Sequence, residues 1–138
     1  MEIQIVVAKK YTRRVPRQEL RNAAQRALAM ERPDAELDLT IVIVDDRAMR
    51  AYNKRFHHVD ASTDVLSFPF GADENYLGDI IISYDTAQAN ARQAGWRVRD
   101  ELCLLVTHGI LHLLGYADTT PDARKRMWER QAELLNRV

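Results

Sequence analysis

The sequence predicts an α+β fold, a single compact domain in which a mixed four-stranded sheet carries about five helices. Three observations predict it. The 138 residues amount to one domain, residues 1–138, with enough chain for one core. Short β-branched runs alternate with segments whose apolar residues recur every three to four positions. Two of the apolar runs, around residues 65–83, are separated only by a polar turn, as paired neighbouring strands are.

Taken in order, Ile3–Val7 reads as the first strand. Pro16 stands where a helix begins, and Leu20, Ala23, Ala24, Ala27 and Leu28 keep helical spacing up to Met30. Pro33-Asp34 breaks that helix. Leu37–Val44 is β-branched, with Asp38 and Thr40 on alternate positions, which predicts a second strand. Asp45-Asp46 offers an N-cap for a helix over Ala48–Arg55. Val65–Phe70 is a short strand whose Pro69 lacks a backbone donor, so it belongs at a strand end or sheet edge. Gly71 to Tyr76 reads as a polar turn leading into the strand Leu77–Ser83. A helix starts at Tyr84-Asp85-Thr86, runs to about Ala94 and ends at Gly95. The next opens at Arg99-Asp100 and continues through Leu114 to Gly115. Thr120-Pro121-Asp122 supplies a cap, a first-turn proline and a first-turn acid for an amphipathic helix carrying Met127, Trp128, Leu134 and Leu135.

Composition sets the broad class. With 46% hydrophobic and 29% charged residues, the chain is of ordinary soluble type. No apolar stretch is long enough for a bilayer, and Met1-Glu-Ile-Gln lacks the features of a signal peptide, so a cytoplasmic protein is expected with no membrane partner. The 20 basic residues balance 20 acidic ones, so net charge gives no pull toward a polyanion. The distribution is uneven. Lys9, Lys10, Arg13, Arg14, Arg17, Arg21 and Arg26 face only Glu19 in their stretch, a pattern that suits either a phosphate-holding face or a solvated helix surface. The lone Cys103 has apolar neighbours and is expected as a buried core thiol.

The chemistry concentrates in His108-Gly-Ile-Leu-His112-Leu-Leu-Gly-Tyr116. Leu102 to Leu114 leaves almost no polar face, so this helix is buried on most sides. A buried imidazole needs a partner. Residues four apart share one helical face with a rise of roughly 6 Å, which puts His108 and His112 within reach of one ion. Gly109 costs about 1 kcal/mol against alanine in a helix interior, a cost that close approach of a backbone or a ligand would explain. Asp118, six residues beyond His112, is a chemically acceptable third ligand for a catalytic divalent metal. The bland alternative is two core histidines bonded to carbonyls and an acid that merely precedes the next helix. A zinc protease would carry glutamate directly after the first histidine; Gly109 stands there, which disfavours peptide hydrolysis. Glu101, two turns before His108, could orient a ligand or stay structural.

These residues carry a resemblance. His108–Tyr116 resembles the YbeY family signature His-Gly-x-Leu-His-Leu-x-Gly-Tyr-Asp-His, and Thr63-Asp-Val-Leu-Ser-Phe-Pro69 and Leu77-Gly-Asp-Ile80 match two further family segments, with Asn53 and Phe56 at the expected distance upstream. The resemblance implies a metal-dependent endoribonuclease. It would hold one divalent ion, zinc by preference, cleave single-stranded or ribosomal RNA, and work with the ribosome in ribosomal RNA maturation. Two departures matter. The family's third histidine falls on Asp118, or, with one residue inserted, on Thr119; a carboxylate oxygen binds zinc well and a hydroxyl poorly, so Asp118 is the expected ligand. It lowers the charge of the site and favours oxygen-preferring ions more than three histidines would. The family's arginine, in an Arg-Gly-x-Asp run, is replaced by His57 in His57-His58-Val59-Asp60, so His57 is expected as the catalytic residue, with Arg55 as the other candidate cation. The same departures keep a second reading open, a ribosome-associated assembly factor with a degenerate metal site.

Overall fold

A computed structural model describes residues 1–70 and 75–136; within the predicted turn, residues 71–74 lie outside the described residues. The strands are β1 Ile3–Val7, β2 Asp38–Val44, β3 Val65–Pro69 and β4 Tyr76–Ser83. The helices are α1 Arg17–Glu31, α2 Asp46–His57, α3 Tyr84–Ala94, α4 Val98–Leu113 and α5 Pro121–Leu134. One short 3₁₀ turn, Lys9–Tyr11, was not foreseen from the sequence.

The sheet order is β1-β2-β4-β3. β1, β2 and β4 run parallel and β3 pairs antiparallel with β4, which makes the sheet mixed and puts Pro69 at the end of an edge strand, as its missing donor requires. Strand alternation decides the faces. Leu39, Ile41 and Ile43 of β2 are fully buried while Thr40 and Val42 are only partly so. With Ile80 and Ile82 of β4 they form the floor on which Leu20 and Leu28 of α1 and Leu102, Ile110 and Leu111 of α4 pack. Each such fully buried aliphatic side chain stabilises the fold by about 1.5–3 kcal/mol.

The predicted caps are present. The Asp45 carboxylate accepts from Ala48 N at 2.8 Å, and Thr120 Oγ1 accepts from Ala123 N at 3.1 Å ahead of Pro121. Gly95 ends α3 in the left-handed region at φ 78°. The Asp46 carboxylate joins three elements, taking hydroxyl donors from Ser83 (2.5 Å), Thr86 (2.6 Å) and Ser62 (2.9 Å). Burial works against its ionisation, but the Ser83, Thr86 and Ser62 donors outweigh it and hold the group below the usual carboxylate range.

Three expectations are corrected. Cys103 is half-buried at the α1–α4 contact, its thiol 3.8 Å from the Glu19 carbonyl, because its side of α4 meets α1 near the surface. Trp128 projects outward from α5 and is 51% exposed, whereas Met127 and Leu134 are buried. In the basic stretch, Arg17 and Arg21 donate to the carbonyls of Ile5 and Ile3, and Lys10 pairs with Asp45 at 2.8 Å, so these cations serve the fold.

Gly109 is explained by a side chain, neither a backbone nor a ligand. A Cβ there would lie 2.9 Å from Ile80 Cγ2 and 3.0 Å from Ile80 Cδ1, and Ile80 is fully buried in the central part of β4. Gly109→Ala is therefore expected to lower stability despite its better helix propensity: overpacking costs about 1–3 kcal/mol against a gain of about 1 kcal/mol. Thermal unfolding of the variant checks this, and a raised midpoint would refute the contact argument. At the end of α2, His58 adopts φ 59°, the left-handed cap conformation that explains a glycine in the Arg-Gly-x-Asp pattern. His58→Gly should stabilise the chain by up to about 1 kcal/mol in the same assay.

Candidate metal centre

α4 presents His108 and His112 on one face near its C-terminal end. The rings stand nearly perpendicular, at 83°, with centroids 4.6 Å apart and their Nε2 atoms 3.1 Å apart. Past Gly115, in the positive-φ conformation that turns the chain, Asp118 comes back so that its Oδ2 lies 3.5 Å from His112 Nε2. One ligand atom from each of His108, His112 and Asp118 falls within 4.8 Å of the others, so the group could hold a metal ion.

The surroundings orient these donors. His112 Nδ1 is 3.1 Å from the Tyr116 carbonyl, which can only accept; Nδ1 therefore carries the proton, and the Nε2 of the neutral ring is a lone pair. His108 Nδ1 faces Gln131 Oε1 at 2.9 Å, with Gln131 only 2% exposed, which sets the same tautomer. Two imidazole lone pairs thus face each other beside a carboxylate. Burial is the main cause that lowers the pKa of His108, and adjacent His112 adds to it; together they outweigh Gln131, Asp64 and Asp118, which act the other way. With a shared proton disfavoured, a cation fits the three donors. Two nitrogens and one oxygen are also a chemically suitable set for a catalytic zinc-type site.

A clasp fixes the loop. Glu31, at the end of α1, accepts from Tyr116 Oη at 3.2 Å and from Arg130 Nε of α5; its side chain is 8% exposed. Burial and the Glu31 charge push the Tyr116 hydroxyl up from its ordinary pKa, which keeps it a donor. The Asp118 carbonyl receives Arg124 Nε at 3.4 Å.

The three donors sit at the head of a cleft of about 420 Å³, whose walls include His57, Asp64 and the β3 residues Val65 to Ser67. Ser67 Oγ donates to the Gly109 carbonyl at 3.4 Å, tying β3 to α4 between the two histidines. His57, exposed at the end of α2, thus shares the cleft with the proposed ligands. Arg55 does not line it; its guanidinium lies over the Phe56 ring at 5.3 Å. Thr119 does not line it either, whereas Asp118 does. Glu101 is buried but belongs to a neighbouring hollow and not to the three-donor cluster. Phe68 is half-buried on the sheet face toward α2, edge-on to Phe56 at 5.2 Å and 5.9 Å from the His57 ring. Sequence reasoning missed Gln131, Asp64 and the Tyr116 carbonyl. A signal existed for the first: Gln131 interrupts the Met127–Leu134 apolar stripe of α5.

The family profile described as Endoribonuclease YbeY matches residues 5–138. The chain belongs to the YbeY family. The Endoribonuclease YbeY of Anaeromyxobacter dehalogenans (strain 2CP-C) is 45% identical over 115 residues, covering 81% of this chain and 58% of that protein. The chain thus spans less than two thirds of the length of that relative. The YbeY protein of Pelotomaculum thermopropionicum is 37% identical over 127 residues, 86% of this chain and 84% of its own. The fold is similar to the solution structure of TM1509 from Thermotoga maritima, with a TM-score of 0.69, 26% identity and coverage of 97% of this chain and 87% of that one.

Two outcomes follow for binding. Purified protein supplied with zinc should retain about one equivalent at neutral pH, and His112→Ala should lose most of it. Retention below about a tenth of an equivalent, unchanged in the variant, would refute the centre. Without metal, the pH dependence has a fixed sign. The folded pKa of His108 lies below the ordinary 6.5, so below pH 6.5 the unfolded chain binds more protons, and stability falls as pH drops through that window. Thermal midpoints of chelator-treated protein across that range check the direction.

Proposed function

We propose that this chain is a metal-dependent endoribonuclease that cleaves single-stranded RNA during ribosomal RNA maturation, in contact with the ribosome. One observation carries the proposal: His108, His112 and Asp118 converge at the head of a cleft that also contains His57. Membership of the YbeY family supports RNA as substrate. The tautomers set by Gln131 and Tyr116 support zinc as the ion. Among the described residues no helix is long and apolar enough to cross a membrane. The cytoplasmic location is proposed with the ribosomal role.

In this reading His108, His112 and Asp118 are the ligands, and a divalent ion bound there supplies Lewis-acid chemistry at a phosphoryl oxygen. The chain does the rest. Gln131 and the Tyr116 carbonyl hold the imidazole planes, so no reorganisation is needed as charge develops. His57, on the cleft wall, donates a proton to the phosphate or the leaving oxygen, the part a permanently charged arginine would fill by charge alone. Phe68 supports the His57 ring. Asp118, in place of a third neutral donor, leaves the centre less positive and shifts its preference toward harder ions.

Purified protein should cut a single-stranded oligoribonucleotide, and His108→Ala should abolish cutting; equal cutting by both preparations would identify a contaminant. His57→Ala should lower kcat by about 10²–10⁴. His57→Arg should keep more activity than His57→Ala, because the guanidinium supplies a permanent charge to the phosphate.

A further inference from the structure

Beside the catalytic cleft lies a second hollow of about 400 Å³, a volume typical of small-ligand pockets. Asp64 lines both. Trp96, which follows α3, and Trp128 of α5 form aromatic walls, 37% and 51% exposed, and Trp128 also stands 6.1 Å from the His108 ring. They are the two tryptophans of the chain. The polar lining comes from Asp64, Asn90, Gln93 and the buried Glu101. Asn90 Nδ2 donates to Asp64 Oδ2 at 3.4 Å, which sets an amide beside a carboxylate at the border between the two hollows.

We propose that this hollow is a base subsite that takes a guanine of the RNA strand. The inference rests on the RNA reading above. Any base offers a ring face to tryptophan, so the aromatic walls provide stacking without choice. The choice comes from the edge. Guanine presents two adjacent donors, N1–H and N2–H, next to the O6 acceptor. A carboxylate takes the two donors, and a neighbouring amide N–H meets O6. Adenine, cytosine and uracil each reverse at least one of these polarities. Unpaired buried polar groups penalise the mismatch more than a lost contact does. Because Asp64 lines both hollows and the Trp128 ring stands 6.1 Å from the His108 ring, a base seated here puts its sugar–phosphate at the His108–His112–Asp118 head. The carboxylate that would repel a phosphate faces the base edge.

The two tryptophans report occupancy. Full-length protein in chelator is titrated with GMP, AMP, CMP, UMP and IMP while tryptophan fluorescence is followed. GMP should quench with an affinity about tenfold or more above UMP. IMP, which lacks the 2-amino group, should bind several-fold more weakly than GMP. Asp64→Asn, isosteric but with one acceptor replaced by a donor, should erase the guanine preference. Trp128→Ala, a surface change that leaves Trp96 as reporter, should weaken GMP by about tenfold. Equal quenching by all nucleotides, no quenching, or unchanged GMP affinity in Trp128→Ala would overturn the proposal. Oligoribonucleotide cutting separates the two readings. Cuts at a fixed offset from guanine support the subsite, and cuts indifferent to guanine refute it while cleavage stands. Absence of cutting with a retained GMP preference refutes cleavage and keeps the subsite.

Discussion

Everything in this protein depends on how closely α4 lies on the sheet. The contact is made where Gly109 passes over Ile80, at a distance that leaves no room for a Cβ. The residue that permits this approach sits directly after the first proposed ligand, so the packing constraint and the site geometry are one constraint. Moving the helix outward would move His108 and His112 with it. It would also break the Ser67 hydroxyl bond to the Gly109 carbonyl, which holds the edge strand forming one wall of the cleft. A central element buried on the apolar side and chemically armed on the other gives rigidity at low entropic cost.

The electrostatic design follows from that burial. Imidazoles in water are promiscuous bases; here each has its Nδ1 committed to an oxygen, which turns Nε2 into a fixed donor atom. Low solvation discourages the protonated form of His108 and so keeps its lone pair available near neutrality. His57 is placed the opposite way, exposed at the end of α2 on the wall of the cleft.

Most of the fold was legible in the sequence because its signals are local. Caps at Asp45 and Thr120, the Gly95 terminus and the β2 alternation each report on a few neighbouring residues, and element bounds came within a residue or two. His108 and His112 were legible for the same reason: helical spacing puts them together without any tertiary knowledge. Gln131 and Asp64 were not. They reach the centre through the packing of α5 on α4 and of β3 on β4, and no local pattern encodes which polar residue of a distant element meets a given ring. Gly109 shows the boundary well. The sequence flagged a close approach, but that the approaching group was an isoleucine of β4 needed the register of the sheet. Trp128 shows a further limit, since it was counted with the apolar residues of an amphipathic helix and instead lies half exposed on the wall of the second hollow.

The Glu31 clasp ties together segments 85 and 99 residues apart, through Tyr116 and Arg130. Tyr116 and α5 in turn hold the two imidazoles. An ion held there cannot leave by one side chain swinging aside, because each ring is pinned from a different part of the chain. Its escape would be limited by how often α5 lifts away, an opening governed by the cooperative unit to which that helix belongs. The dwell time of a metal held by the proposed ligands would therefore be a kinetic property of the whole domain: a slow exchange rate would be inherited from folding, and any weakening at Glu31 would first be seen as a leaky centre, long before the fold itself gave way.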